Sequence, residues 1–295
     1  MKKMKNSTVL LLVAIAMISC NKNGDKADGY GNFEATEITV SSEANGKIDF
    51  LKLEEGDQLQ SQTQIGLVDT LQLYFTKQQL IASKSTVSSK TANVLSQKQV
   101  LQAQLQTSRI EQNRIKSMFA ENAATKRQVD EIDGKVKVIE EQIKSVTTQS
   151  APIANDLKSI DVQIAKIEDQ INKSKIINPI NGTVLTKYAE PGEITAFGKP
   201  LYKIADISNM ILRVYVSERQ LGTLKIAQQV TVKIDGEDEM QSFPGAISWI
   251  SAQAEFTPKI IQTKEERVNL VYAVKVNVKN NGSLKIGMPA EMWIK

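Results

Sequence analysis

Between positions 129 and 171 the apolar side chains fall alternately three and four residues apart. The stripe is Val129, Ile132, Val136, Ile139, Ile143, Val146, then Ile153, Leu157, Ile160, Ile164, Ile167 and Ile171, and Ser150 is its one polar interruption. Such spacing keeps a single face of a helix apolar over many turns and predicts a coiled-coil seam. Upstream, Leu73, Leu80, Val87, Val94, Leu101 and Ile115 hold a sparser seven-residue row in which Ser108 is the exception. Glu121-Asn122-Ala123-Ala124-Thr125 separates the two stretches and offers a place to reverse direction. Two arms of about 50 residues joined so briefly should pair antiparallel, each reaching about 75 Å. Pro152 falls inside the second arm. A proline in a helix interior costs about 3 kcal/mol and removes a backbone hydrogen bond, so a kink or a helix restart is expected there.

On both sides of this region the period drops from that of a helix to that of a strand. Gly46, Ile48, Glu54, Gly56 and Ile65 are answered 136 positions later by Gly182, Val184, Glu190, Gly192 and Leu201. Both copies read as short strands broken by turns, and Gly46, Gly56, Gly182 and Gly192 suit turns that need positive φ. One half of a small β-domain is thus written twice, with the helical arms between the copies. Toward the C-terminus, Leu212, Val214 and Val216, then Val230, Val232 and Ile234, then Val274, Val276 and Val278 alternate with polar residues. These strands predict a small antiparallel barrel, capped by a short helix or turn over 218–224.

Composition narrows the chemistry. The 295 residues contain no histidine and one cysteine, Cys20. Without histidine the chain lacks the usual general base near neutral pH, the Ser-His and Cys-His couples and the commonest zinc ligand, so it reads as a non-enzyme with no cofactor and no metal relay. Glu265, Glu266 and Arg267 read as a solvated or inter-protomer ion cluster rather than as catalytic groups. Net charge is +4, of which Lys2, Lys3 and Lys5 supply three, so a chain processed after residue 19 would carry about +1. With aromatic residues at 5%, no clustered basic and stacking face for nucleic acid is apparent. Those lysines precede an apolar run over 9–18, too short to span a bilayer but suited to a signal peptide. The run ends at Met17-Ile18-Ser19-Cys20, which resembles a lipoprotein processing box with Cys20 as the acylated residue. An ordinary secretory signal or an uncleaved anchor is the alternative.

The duplicated β-half interrupted by a coiled coil resembles the split lipoyl-like (biotinyl-lipoyl-like) domain of the hemolysin D type membrane fusion proteins, the periplasmic adaptors of bacterial export pumps. The block Phe243-Pro244-Gly245, Glu255-Phe256-Thr257-Pro258-Lys259 and Gly287-Met288-Pro289-Ala290-Glu291 is similar to the barrel of adaptors that serve ATP-driven exporters, with Ala227-Gln228 where Gly-Gln is common, a turn read as altered but kept. The resemblance implies an elongated α+β fold: signal peptide 1–19, lipid-anchored tether 20–37, lipoyl-like halves 38–69 and 177–206, α-helical hairpin 70–176 and β-barrel domain 207–295. No carrier lysine turn is left in the lipoyl-like unit, because the hairpin occupies its place. Family spacing at the hairpin tip falls on Arg114, Met118 and Thr125, which would form a docking rim. The implied partners are an inner-membrane ABC-type permease with its ATPase, an outer-membrane duct, and further copies of the chain in a ring of six. The implied location is the periplasm of a Gram-negative bacterium, anchored to the inner membrane. The chain ends soon after the barrel pattern, which favours the ABC partner over a proton-driven resistance-nodulation-division pump. A purely structural envelope coiled-coil lipoprotein is the reading from a different class.

Overall fold

The computed structural model describes residues 26–237, 239–256 and 270–294. The apolar run over 9–18, Cys20 and the Glu265-Glu266-Arg267 cluster lie outside the described residues. Three units follow from the pairing of the strands.

The first is a closed six-stranded barrel in the order β1 (Gly29–Glu34), β10 (Asn209–Ser217), β13 (Leu270–Lys279), β12 (Gln241–Phe256), β11 (Gln229–Ile234), β14 (Pro289–Ile294), with the last pairing back to the first. The alternation read from the sequence holds. Leu212, Val214 and Val216, then Val230, Val232 and Ile234, then Val274, Val276 and Val278 all point inward and form one core with Phe33, Met210 and Met292. A correction concerns the expected tether over 20–37, because residues 29–34 are the barrel's closing strand. Gly-Tyr-Gly-Asn-Phe-Glu carries one large apolar side chain, Phe33, and that side chain is buried. Gly31 belongs there because a Cβ would overlap the Arg213 carbonyl of the neighbouring strand. A short helix, α4 (Glu218–Leu221), follows β10, and Leu224 plugs the barrel end, as the capping expectation has it.

The second unit stacks two four-stranded sheets. One has the order β2 (Glu37–Ser41), β9 (Pro200–Ala205), β7 (Gly182–Lys187), β4 (Gln58–Leu59). The other runs β6 (Lys175–Ile177), β5 (Gln64–Val68), β3 (Gly46–Leu51), β8 (Ile194–Thr195). The repeat interlocks: β4 of the first copy pairs with β7 of the second, and β8 of the second pairs with β3 of the first. Backbone bonds repeat at the same offset. Gly56 N–H donates to the Val184 carbonyl at 2.9 Å and Gly192 N–H to the Ile48 carbonyl at 2.8 Å. Neither copy can bury its own apolar face, since Ile48, Ile65, Val184 and Leu201 share one core.

The third unit is helical. α1 (Leu71–Ala120) is one 50-residue helix, and α2 (Lys126–Thr148) and α3 (Ser150–Lys173) return along it. Ion pairs across the arms fix the antiparallel register: Lys77–Glu168 at 2.9 Å, Lys84–Asp161 at 2.6 Å, Arg109–Glu140 at 2.7 Å and Lys116–Asp133 at 2.9 Å. They also explain the sparse first arm. Lys77 and Lys84 stand four residues after Leu73 and Leu80, half-buried on the seam face where a second apolar row would run. The returning arm restarts at Gln149, three residues before Pro152, so the proline falls in the first turn of α3, where its missing N–H costs least. The expected end of the hairpin at residue 176 shifts, because Ile176 is already a buried sheet residue.

Candidate docking surfaces

The turn between α1 and α2 is held by two caps. Asn122 takes φ of 56°, Ala123 N–H donates to the Met118 carbonyl at 2.7 Å and Asn122 N–H to the Phe119 carbonyl at 3.1 Å, which closes α1 with the left-handed pattern of a Schellman motif. Thr125 then opens α2. Its hydroxyl accepts from Gln128 N–H at 3.4 Å while Gln128 Oε1 accepts from Thr125 N–H at 2.8 Å, a complete capping box.

The three residues singled out at the tip therefore have different surroundings. The Arg114 side chain is 68% exposed and pairs with Glu111 on its own helix, Nη2 to Oε2 at 2.6 Å. Met118 is 40% exposed. Thr125 is occupied by capping, so its hydroxyl already has partners in this chain. No hydrogen bond or ion pair links Arg114 with Thr125 among the described residues. Phe119, exposed beside Met118, is a tip residue that sequence reasoning missed; a large aromatic directly before the reversal was its signal. Lys126 and Arg127 add exposed cations just beyond the turn, each paired on its own helix with Asp130 and Glu131. An exposed rim with apolar side chains beside guanidinium groups can bind a protein through adaptable packing and several directed hydrogen bonds. Farther down the arms, Lys116 and then Gln112 donate to Asp133 and hold its carboxyl below the ordinary value.

In the two-sheet unit, the glycine expectation divides. Gly56 and Gly192 take φ of 94° and 93°, and Gly46 takes 152°, as turns requiring glycine. Gly182 is corrected: its φ is not positive, and glycine stands there because a Cβ would come within 2.5 Å of the Ala205 carbonyl oxygen. The duplicated acids Glu54 and Glu190 converge on one cation. Lys187 Nζ lies 3.0 Å from Glu54 and 2.7 Å from Glu190, its side chain 8% exposed, and the two carboxylates raise its pKa, Glu190 first. Asn178, fully buried, donates to the Gln60 and Ile180 carbonyls and accepts from the Tyr202 hydroxyl at 2.9 Å. Burial raises the Tyr202 pKa. Every polar atom of that cluster has a partner within the fold, so the cluster reads as a clamp between the halves and not as a reactive site. Among the described residues no three His, Cys, Asp or Glu side chains gather as a metal site, and no helix is long and apolar enough to cross a membrane.

No family model matches the chain. A UPF0194 membrane protein of Acidithiobacillus ferridurans is 34% identical over 125 residues, 42% of this chain and 37% of that protein. Another, from Yersinia enterocolitica, is 34% identical over 120 residues, 40% of this chain and 36% of that one. The matched stretch thus spans little more than a third of the length of these curated relatives. The crystal structure of MacA from Actinobacillus actinomycetemcomitans is similar over 92% of this chain and 79% of that one, with a TM-score of 0.57 and 18% identity. The chain shares the fold of MacA, a barrel, a two-sheet unit and a long helical insertion, over nearly all its length.

Proposed function

We propose that this chain is a periplasmic adaptor, a membrane fusion protein of the hemolysin D type, which carries a lipid on Cys20 and links an inner-membrane ABC-type exporter to an outer-membrane duct. The two-sheet unit is the split lipoyl-like domain of this reading. The observation that carries the proposal is the placement of the hairpin: a 50-residue helix and its return arm leave and re-enter one small β-unit whose halves complete each other. A generic spacer does not need its insertion point inside an interlocked domain. The hairpin projects its tip away from that unit, and rings of copies, six in this proposal, would place the tips together against a duct. The chain performs no chemistry in this scheme; it seals and bridges, and energy comes from the transporter.

Copy purification from membranes tests the partner: an ATPase-bearing permease recovered with the tagged chain supports the ABC assignment, and a proton-driven pump recovered instead redirects it. Arg114→Glu tests the tip. That substitution sets two carboxylates three residues apart with Glu111, a helix cost of about 0.2–0.5 kcal/mol, too small to unfold the hairpin. Export should be lost with folding and membrane attachment intact. Normal export in Arg114→Glu and in Met118→Asp, at equal protein levels, returns the hairpin to a spacer.

A further inference from the structure

At one end of the barrel the chain enters and several strands finish together. Gly29 faces Met292, Ile294 N–H donates to the Asp28 carboxylate at 2.8 Å, and Gln220 Nε2 donates to the Asp28 carbonyl at 2.7 Å. At the same end Ser217 faces Val271, and one residue farther out Phe256 faces Leu270. The turn before β11 belongs here too, since Val230 faces Ile294. The links to the two-sheet unit leave from the opposite end, between β1 and β2 and between β9 and β10.

The two ends differ in what they show to solvent. The entry end exposes Phe256 at 83%, Ile226 at 68% and Leu270 at 54%, whereas the largest exposed apolar side chains of the opposite turns, Met240 and Ile286, reach 40% and 39%. One step inward from the entry end stand Tyr30, 44% exposed, and Trp293, whose indole N–H donates to Glu291 at 3.0 Å while Lys233 Nζ lies 4.2 Å from its ring. Apolar tips outermost with amphipathic rings behind them is the depth profile of a surface that enters the interface of a bilayer.

We infer that this rim seats on the lipid bilayer, with Phe256, Ile226 and Leu270 at the boundary of headgroups and acyl chains. The occupant follows from where the preceding chain goes. An apolar run over 9–18 lies eleven residues before Gly29. Eleven residues reach at most about 40 Å when extended and span about 18 Å on average when flexible. Whether that run stays in the membrane or is removed and Cys20 acylated, the bilayer lies within that reach of the rim. A closed barrel offers no free strand edge for a protein strand to join, so only the tips remain to be covered. The inference rests on the membrane attachment in the proposed function and not on which transporter is served.

The test uses the full chain in vesicles of phosphatidylethanolamine and phosphatidylglycerol, in a Trp249→Phe, Trp293→Phe background with one tryptophan restored by Phe256→Trp or, as a control in the two-sheet unit, by Ile194→Trp. Both positions are more than three-quarters exposed, so neither reporter strains the fold. Lipids brominated near the carbonyl should quench Phe256→Trp several-fold more than Ile194→Trp. Equal, weak quenching of both in protein that floats with vesicles overturns the seat while leaving attachment intact. Protein that fails to float overturns the attachment and the seat with it. Shielding of Phe256→Trp from acrylamide without quenching by brominated lipid assigns the rim to a protein partner and also overturns it.

Discussion

The internal repeat supplies its own control for a backbone substitution. Gln62 and Gly198 are equivalent positions of the two copies, and both have left-handed backbones, with φ of 64° and 83°. Gln62 N–H donates to the Asn178 carbonyl and Gly198 N–H to the Ser42 carbonyl, each at 2.8 Å. A Cβ at Gly198 would meet nothing within 4 Å, so the two sites differ in conformational cost and not in crowding. A non-glycine residue held left-handed costs about 1–2 kcal/mol, and a glycine loses about 0.4–1 kcal/mol of that advantage through the freedom of its unfolded chain. Gln62→Gly should therefore stabilise by about 0.5–1 kcal/mol, and Gly198→Gln should destabilise by about the same amount. Ala227, at φ of 68° and donating its N–H to the Ile247 carbonyl at 2.8 Å, should respond like Gln62 when changed to glycine. Asn122, at φ of 56°, should gain almost nothing, because asparagine tolerates this region. For a protein of this size 1 kcal/mol moves the melting temperature by about 2–4 °C, within reach of calorimetry on purified variants. A loss of stability in Gln62→Gly, or an equal gain in Asn122→Gly, would refute the argument from φ.

Two further outcomes concern the tip and the N-terminus. Thr125→Ala removes the cap of α2 and should cost about 1 kcal/mol with faster hydrogen exchange over residues 126–130, whereas Thr125→Asp keeps an acceptor and should hold both near wild type; if the aspartate variant frays as much as the alanine one, capping is not what Thr125 does. Cys20→Ser should release the chain from membranes or leave an unprocessed precursor, and intact-mass analysis that finds a processed chain with unmodified Cys20 would remove the lipid anchor from the proposal.

What the sequence determined is what a local period can carry. Heptad spacing from Val129 to Ile171 marks the returning arm, strict alternation over Val274, Val276 and Val278 marks a barrel strand, and the constant offset between Gly56 and Gly192 marks two equivalent turns. The tip was only partly legible: Arg114 and Met118 are exposed as expected, while Thr125 proved to be a cap, although its spacing to Gln128 was there to be read. Tertiary structure decided the rest, because it depends on partners far away in the chain. β1 has almost no strand signal of its own and becomes a strand by lying between β10 and β14, with Ile294 bonded to Asp28 across 266 residues. Gly182 is fixed by the approach of Ala205, and Lys187 is gripped by carboxylates from both copies. Periodicity says which face of an element is apolar; it does not say which other face will cover it, and the interlocking of the halves is that second choice.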